Sequence, residues 1–125
     1  MAYPEHRFSP EDFLQFFELH EFTDARSDLV LDDDDLYALQ VCIMLAPDKP
    51  PVISGTGGLR KIRFAPSRLN LGKSGAYRIC YAYFAEANIV LLVLVYTKNE
   101  QDNLSKAQKN AIRDALASIE EDLCN

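Results

Sequence analysis

Three segments in the middle of the chain have the hydrophobic pattern of β-strands, and they cover residues 59–65, 77–85 and 89–96. In the first segment, polar and apolar residues alternate with the period of two that a half-buried strand requires. The third segment is apolar throughout, which is typical of a central strand buried on both faces. The residues around Asn88 predict a hairpin turn between the last two strands.

Apolar residues at helical spacing predict two longer helices, one before these strands and one after them. The acidic run at residues 32–35 precedes the first helix, because Asp accepts a backbone N–H at a helix start and acids interact favourably with the first turn. Pro47 ends this helix. The last helix begins at Ser105, which forms the spacing of a capping box with Gln108. We also expect a short strand over residues 15–20 and a short helix over residues 22–29.

These elements together predict an α+β fold, with N-terminal helices, a three- or four-stranded antiparallel sheet and a C-terminal helix. The length of 125 residues, or 14.1 kDa, is sufficient for one hydrophobic core. We expect residues 1–14 to form an N-terminal extension and residues 15–125 to form the single domain.

The composition excludes several classes of protein. The longest unbroken apolar run has eight residues, whereas a membrane-spanning helix needs about 20. The N-terminus has no basic region followed by an apolar run, so we expect neither a secretory signal nor a membrane partner. The three cysteines, Cys42, Cys80 and Cys124, are far apart and form no CxxC pair. We therefore expect neither a disulfide framework nor a zinc ribbon, and we predict a cytoplasmic protein.

Charge is strongly segregated along the chain. Residues 1–50 carry twelve acids and three bases, residues 51–113 carry ten bases and three acids, and the last twelve residues carry four acids. The net charge of −6 therefore hides a basic middle. Such a segment indicates a positively charged functional surface, because the electrostatic field near a surface depends on local charge. The alternative is a solvated strand edge whose lysines prevent aggregation.

Metal chemistry finds little support in the sequence. Consecutive aspartates on a helix point in different directions, so residues 32–35 cannot all converge on one ion, and a helix start is the better interpretation. His6 and His20 have no ligand partner at suitable spacing. No serine or cysteine lies in a recognisable nucleophile motif. We therefore expect no metal and no other cofactor.

The basic residues of the middle segment suit a phosphodiester substrate. Lys61 and Arg63 are two residues apart on one strand, so they share a face and lie about 7 Å apart. Arg78 on the next strand and Lys98 after the last one can join them on a concave sheet surface. Arginine stabilises the charge of a pentacoordinate phosphate. A lysine among other cations more readily accepts a proton from a ribose 2′-hydroxyl. Cleavage of RNA without metal or histidine is therefore chemically feasible.

Several motifs in register also resemble a known family. They are DDDDLYALQ at 32–40, GTGGLRKIR at 55–63, GKSGAYRICY at 72–81, LLVLVYTKNE at 91–100 and LSKAQK at 104–109. In this order and spacing they resemble the RelE/ParE superfamily of toxins, most closely the HigB branch. The similarity extends over roughly residues 15–123.

The resemblance implies a RelE-like fold of the microbial-ribonuclease type and the toxin of a type II toxin–antitoxin system. Such a toxin enters the ribosomal A site and cuts the mRNA there without a metal. The resemblance also implies a HigA-type antitoxin with a helix-turn-helix domain. The toxin would then contact DNA only within the antitoxin complex, which represses its own operon.

The resemblance places the catalytic functions on basic strand residues. Lys61 would act as the general base, and Arg78 would stabilise the phosphate and the transition state. Arg63 and Lys98 would orient the RNA backbone. Further RNA contacts are expected at Arg60, Lys73, Tyr96 and Asn99.

Two functions from other classes compete with the nuclease. A ParE-like toxin inhibits DNA gyrase and is expected to lack the cationic set that Lys61, Arg63 and Arg78 form. A catalytically inactive RelE-fold module would serve only to bind its antitoxin, and the acidic isoelectric point of about 4.8 is compatible with that role.

Overall fold

The computed structural model describes residues 13–66, 76–98 and 103–124, and this part of the chain forms four strands and three α-helices. A 3₁₀ turn at Ala85–Ala87 joins the third and fourth strands. In chain order the elements are β1 (Gln15–Glu18), α1 (His20–Asp28), α2 (Asp33–Leu45), β2 (Leu59–Phe64), β3 (Tyr77–Phe84), β4 (Ile89–Tyr96) and α3 (Lys106–Cys124).

The four strands form one sheet in the order β1-β4-β3-β2. Strands β2, β3 and β4 are antiparallel to their neighbours, as the sequence predicts. Strand β1 instead pairs in parallel with β4, so the sheet is mixed rather than wholly antiparallel. A parallel neighbour requires a long connection, and here the chain passes through both N-terminal helices and two strands before β4. The α+β fold with a closing helix is confirmed.

Strand β4 lies in the middle of the sheet, between β1 and β3. Its side chains contribute to both hydrophobic cores, which explains why its sequence is apolar throughout. The hairpin turn before it ends at Asn88, whose φ of 55° is in the left-handed region that Asn tolerates well. The predicted central strand and hairpin are thus confirmed.

The acidic run begins helix α2. The backbone N–H of Asp35 donates to Oδ1 of Asp32 at 2.9 Å, and the backbone N–H of Asp32 donates to Oδ2 of Asp35 at 3.0 Å. This reciprocal capping box satisfies two backbone donors at the helix start. Helix α1 begins at His20, two residues earlier than the sequence predicts, because the Leu19 carbonyl already accepts from the N–H of Thr23 at 3.0 Å.

Helix α3 begins with the predicted capping box. The Ser105 N–H donates to Oε1 of Gln108 at 2.9 Å, and the Gln108 N–H donates to the Ser105 hydroxyl at 3.1 Å. Leu116 is buried against the sheet, whereas the neighbouring Ala115 is exposed, and Leu123 is 37% exposed. The helix therefore covers its face of the sheet only in part.

The sheet has two faces with separate hydrophobic cores. Helices α1 and α2 cover one, here called the α1/α2 face, with a core that includes Phe22, Leu39, Ile43, Ile79, Tyr81 and Leu92. Helix α3 covers the other, here called the α3 face, with a core that includes Leu59, Cys80, Ala82, Leu91, Val93 and Leu116. No helix in the described part of the chain is long and apolar enough to cross a membrane.

Candidate nucleic-acid interface

Three of the predicted catalytic cations lie on the α3 face. On β2, Ile62 and Phe64 pack into the α1/α2 core, so the alternation of the strand places Lys61 and Arg63 on the opposite side. Arg63 pairs directly with Arg78 on β3. Residues directly opposite in an antiparallel pair have Cβ atoms about 5 Å apart. The fold therefore brings these three cations together on two adjacent strands.

The three cations differ in exposure. Arg63 is exposed and Lys61 is half-buried. Arg78 is only 6% exposed, and its Nη1 donates to the carbonyl oxygen of Ala76 at 2.5 Å. A buried charge interacts strongly with charges above it, because the surrounding dielectric constant is low. Arg78 thus adds positive potential beneath this surface, while Arg63 and Lys61 are open to contact.

A β-bulge brings Tyr96 onto the same face. Between Cys80 and Tyr81 the pairing with β4 shifts by one residue, so that Cys80 faces Leu94 and Tyr81 faces Leu92. A bulge of this kind re-aims the side chains that follow it. Tyr96 consequently joins the α3 core, where it is 5% exposed and pairs across the sheet with Arg78. The ring is therefore packed in the core, where a base cannot stack on it.

Cys80 lies next to Tyr96 and Lys61, and both affect the pKa of its thiol. Burial raises the pKa of the Cys80 thiol to about 11, whereas a hydrogen bond with Tyr96 and the positive charge of Lys61 act in the opposite direction. The influence of Lys61 agrees with the register, which pairs Lys61 with Cys80. A thiol held neutral in this way is not a nucleophile at neutral pH.

Arg60 does not belong to this cluster. Its Nη1 donates to the carbonyl oxygens of Asp48 at 2.8 Å and Pro50 at 2.6 Å, which fixes the side chain on the α1/α2 side of β2. The sequence predicts an RNA contact at Arg60, and the structure gives this side chain a role in holding the loop before β2. Lys98 is exposed just beyond the end of β4. The predicted contacts at Lys73 and Asn99 lie outside the described residues.

The glycine-rich segment at 55–58 is a turn that packs against α3. The Thr56 hydroxyl donates to the Ile53 carbonyl at 2.6 Å and accepts from the Leu59 N–H at 3.0 Å, so Thr56 joins the two ends of the turn. Gly57 has a φ of 72°, and a Cβ there would lie 3.3 Å from Cγ of Arg113. Glycine is therefore required by the backbone and by the close approach of the helix.

This packing reveals basic residues that the sequence interpretation does not assign to the site. Arg113 lies against Gly57, and Cδ of Lys109 would lie 3.9 Å from a Cβ at Gly55. Both helical bases thus border the turn that leads into β2. The sequence contains a signal for them, since the bases of α3 are confined to its first half, up to Arg113.

Potential metal ligands are not clustered in the structure. Within residues 13–66, 76–98 and 103–124, no group of three or more His, Cys, Asp or Glu side chains is arranged to hold an ion. His20 is exposed and lies 3.1 Å from Asp24 on the same helix.

No protein-family model matches the chain. Among solved structures, the fold is similar to that of the E. coli toxin RelE, determined in the free state as a mutant with two arginines replaced by alanine. The TM-score is 0.51 at 15% sequence identity, and the match covers 72% of this chain and 88% of that chain. The chain has a RelE-like fold. This similarity concerns the architecture alone. Because one fold can carry many activities, the activity depends on the residues of the site.

Proposed function

We propose that this chain is the toxin of a type II toxin–antitoxin system, which cleaves mRNA on the ribosome without a metal cofactor. The observation that carries the proposal is the placement of Lys61, Arg63 and Arg78 on one face of two adjacent strands in a RelE-like fold. A single-stranded RNA backbone carries the negative charge that such a face attracts.

The pairing of Arg63 with Arg78 supports a functional role for this face. Like charges directly opposite each other destabilise a sheet, and Arg78 is also buried. A phosphate bound above them would offset the repulsion, since both guanidinium groups are suited to phosphate oxygens.

Each cation has a defined part in the proposed reaction. Lys61 accepts the proton of the ribose 2′-hydroxyl, and the 2′-oxygen then attacks the adjacent phosphorus. The bond from phosphorus to the 5′-oxygen breaks, and the leaving oxygen takes a proton from water. Arg78 stabilises the added negative charge from beneath the surface. Arg63 and Lys98, both exposed, hold the flanking phosphates.

The acidic composition is compatible with this function because the charges are separated in space. The acidic run of residues 32–35 caps and begins α2, which covers the α1/α2 face of the sheet. Lys61, Arg63 and Arg78 lie on the other face. Under the proposal the protein acts in the cytoplasm, and a HigA-type antitoxin with a helix-turn-helix domain holds it inactive.

The proposal is tested by inducing the chain in cells and mapping new 5′ ends of mRNA. Wild type should produce new ends within translated codons, and Lys61→Ala should reduce their number about 100-fold, as expected for loss of a general base. Arg60→Ala is the matched control, because Arg60 precedes Lys61 on the same strand but is held on the other face. It should leave cleavage unchanged.

The burial of Arg78 favours one other candidate, a RelE-fold module that binds its antitoxin without cleaving RNA. In that case wild type and Lys61→Ala would yield the same mRNA ends and the same growth. Growth arrest without cleavage, accompanied by inhibition of gyrase supercoiling in a purified assay, would replace the nuclease proposal with a ParE-like activity.

A further inference from the structure

A cleft of about 590 Å³ lies between the second half of α3, the turn that joins β3 to β4 and the glycine turn before β2, and its lining combines apolar side chains with polar groups. Its floor is formed by small and apolar side chains, among which Leu116 and Ala82 are each 3% exposed. Leu123 lies at its mouth and is 37% exposed. Among the described residues, Leu123 is thus the one in the last turn of α3 that lines the cleft.

The cleft is distinct from the cationic interface. It is lined by the end of β3, from Ala82 onward, whereas Arg78 lies near the start of that strand. Four residues of strand separate Arg78 from Ala82, the first cleft residue on β3, and this corresponds to about 13 Å. A partner seated in the cleft would thus contact a different part of the α3 face from an RNA bound at Lys61 and Arg63.

Two carboxylates flank the cleft from opposite sides. Glu86 belongs to the turn between β3 and β4, and Glu120 belongs to α3. Both are exposed, and neither forms an ion pair with another side chain in the described part of the protein. A partner that inserts apolar side chains into this cleft would need positive charge on both flanks of its apolar stripe to match these acids.

The order of charges along α3 strengthens this requirement. Its bases lie in the first half of the helix, and its last two turns carry Glu120, Glu121 and Asp122, with no base in the last turn. The helix dipole disfavours acids at a C-terminus and bases at an N-terminus. The acids near the cleft therefore do not stabilise their own helix, and a cationic partner would offset their unfavourable position.

We propose that this cleft is the docking site for a cationic amphipathic helix of a protein partner, with apolar anchors on the floor and lysine or arginine facing Glu86 and Glu120. Helix-in-groove recognition of this kind uses anchors at positions i, i+3 or i+4, and i+7. A small apolar ligand would leave both carboxylates without a partner. The proposal goes beyond the proposed nuclease function and does not depend on it.

The test uses the full-length ¹⁵N-labelled chain and a synthetic helical peptide with leucines at these anchor positions and lysines on both flanks. Two comparison peptides replace the lysines by glutamates or scramble the order of the residues. The cationic peptide should shift the amide signals of the residues that line the cleft. Glu120→Lys should weaken its binding about tenfold, since it places a like charge against the peptide.

Glu121→Lys is the matched control, because Glu121 neighbours Glu120 on α3 but does not line the cleft. Both substitutions change the net charge equally, and both place a favourable charge near the C-terminus of the helix, so folding is maintained. Glu121→Lys should weaken binding less than about threefold. Equal losses for the two variants, equal binding of the scrambled peptide, or no shifts at millimolar peptide would overturn the proposal.

Discussion

Polar side chains make different kinds of contact on the two faces of the sheet. On the α1/α2 face, the Tyr81 hydroxyl donates to the Pro47 carbonyl at 2.8 Å, and Arg60 donates to two loop carbonyls. On the α3 face, Arg63 and Arg78 lie directly opposite each other. Tyr81 and Arg60 on the first face therefore stabilise the fold, whereas Arg63 and Arg78 on the second face place like charges opposite each other.

This difference indicates that the α1/α2 face is mainly structural and that the α3 face carries the candidate functional sites. The α1/α2 face is closed by two helices and contains fully buried large side chains such as Phe22 and Leu39. The α3 face is covered by one helix, which leaves part of its own apolar stripe exposed. A face that is covered only in part can carry charged groups and clefts, because functional sites tend to use unfavourable arrangements that the rest of the fold supports.

The largest expected effect compares one apolar side chain from each face. Leu39→Ala should lower the free energy of unfolding by about 3 kcal/mol, because Leu39 is fully buried and its removal leaves a cavity. Ile112→Ala on α3 should lower it by only about 1 kcal/mol, since Ile112 is partly buried. Urea unfolding of both variants measures the difference, and equal losses would contradict the division between the faces.

The second effect concerns the pair of arginines. Arg63→Ala should reduce mRNA cleavage about tenfold, because one phosphate contact is lost. The same substitution should raise the free energy of unfolding by about 0.5 kcal/mol, since it removes a like charge opposite Arg78.

Arg63→Lys is the control for this pair, because it keeps the charge while it removes the planar fork. It should leave stability unchanged. A stability loss in Arg63→Ala, measured by urea unfolding, would show that the guanidinium of Arg63 stabilises the fold and that the proposed conflict on the α3 face does not exist.

Much of this architecture could be predicted from the sequence, because local patterns determine it. Residue spacing predicts the helix start at residues 32–35, the capping box of Ser105 and Gln108, the central apolar strand, and the placement of Lys61 and Arg63 on one side of β2. The parallel pairing of β1 could not, since it depends on where the chain returns after two helices. The RelE-like architecture that the motifs imply agrees with the structural likeness.

The site was harder to predict than the fold, for physical reasons. The bulge opposite Cys80 changes which face Tyr96 occupies, and bulges leave no clear mark in a run of apolar residues. The burial of Arg78 and the loop contacts of Arg60 depend on neighbours distant in sequence. Charge counts identify the basic segment, but only the register of the strands shows which bases meet.

The last prediction uses the pH dependence of stability to compare two neighbouring residues, Cys80 and Tyr81. Burial raises the pKa of Cys80 on the α3 face from about 9 to about 11, and it raises the pKa of Tyr81 on the α1/α2 face from about 10 to about 12. Between pH 9 and 10 the unfolded chain therefore loses the Cys80 proton while the folded protein keeps it. Because the folded state then binds more protons than the unfolded state, stability falls as pH rises.

Wild type should thus lose on the order of 1 kcal/mol of unfolding free energy between pH 8 and pH 10 through Cys80. Cys80→Ala should lose less over the same interval. Tyr81→Phe should lose nearly as much as wild type, because the unfolded tyrosine, with an ordinary pKa of about 10, is only half ionised at the upper end of this interval. Cys42 is kept in all three proteins, so its own raised pKa affects each of them equally. Urea unfolding at the two pH values measures the fall. An identical fall in wild type and Cys80→Ala would mean that the thiol is not held neutral on the α3 face, and that this face is more open to water than the packing of Cys80 and Tyr96 indicates.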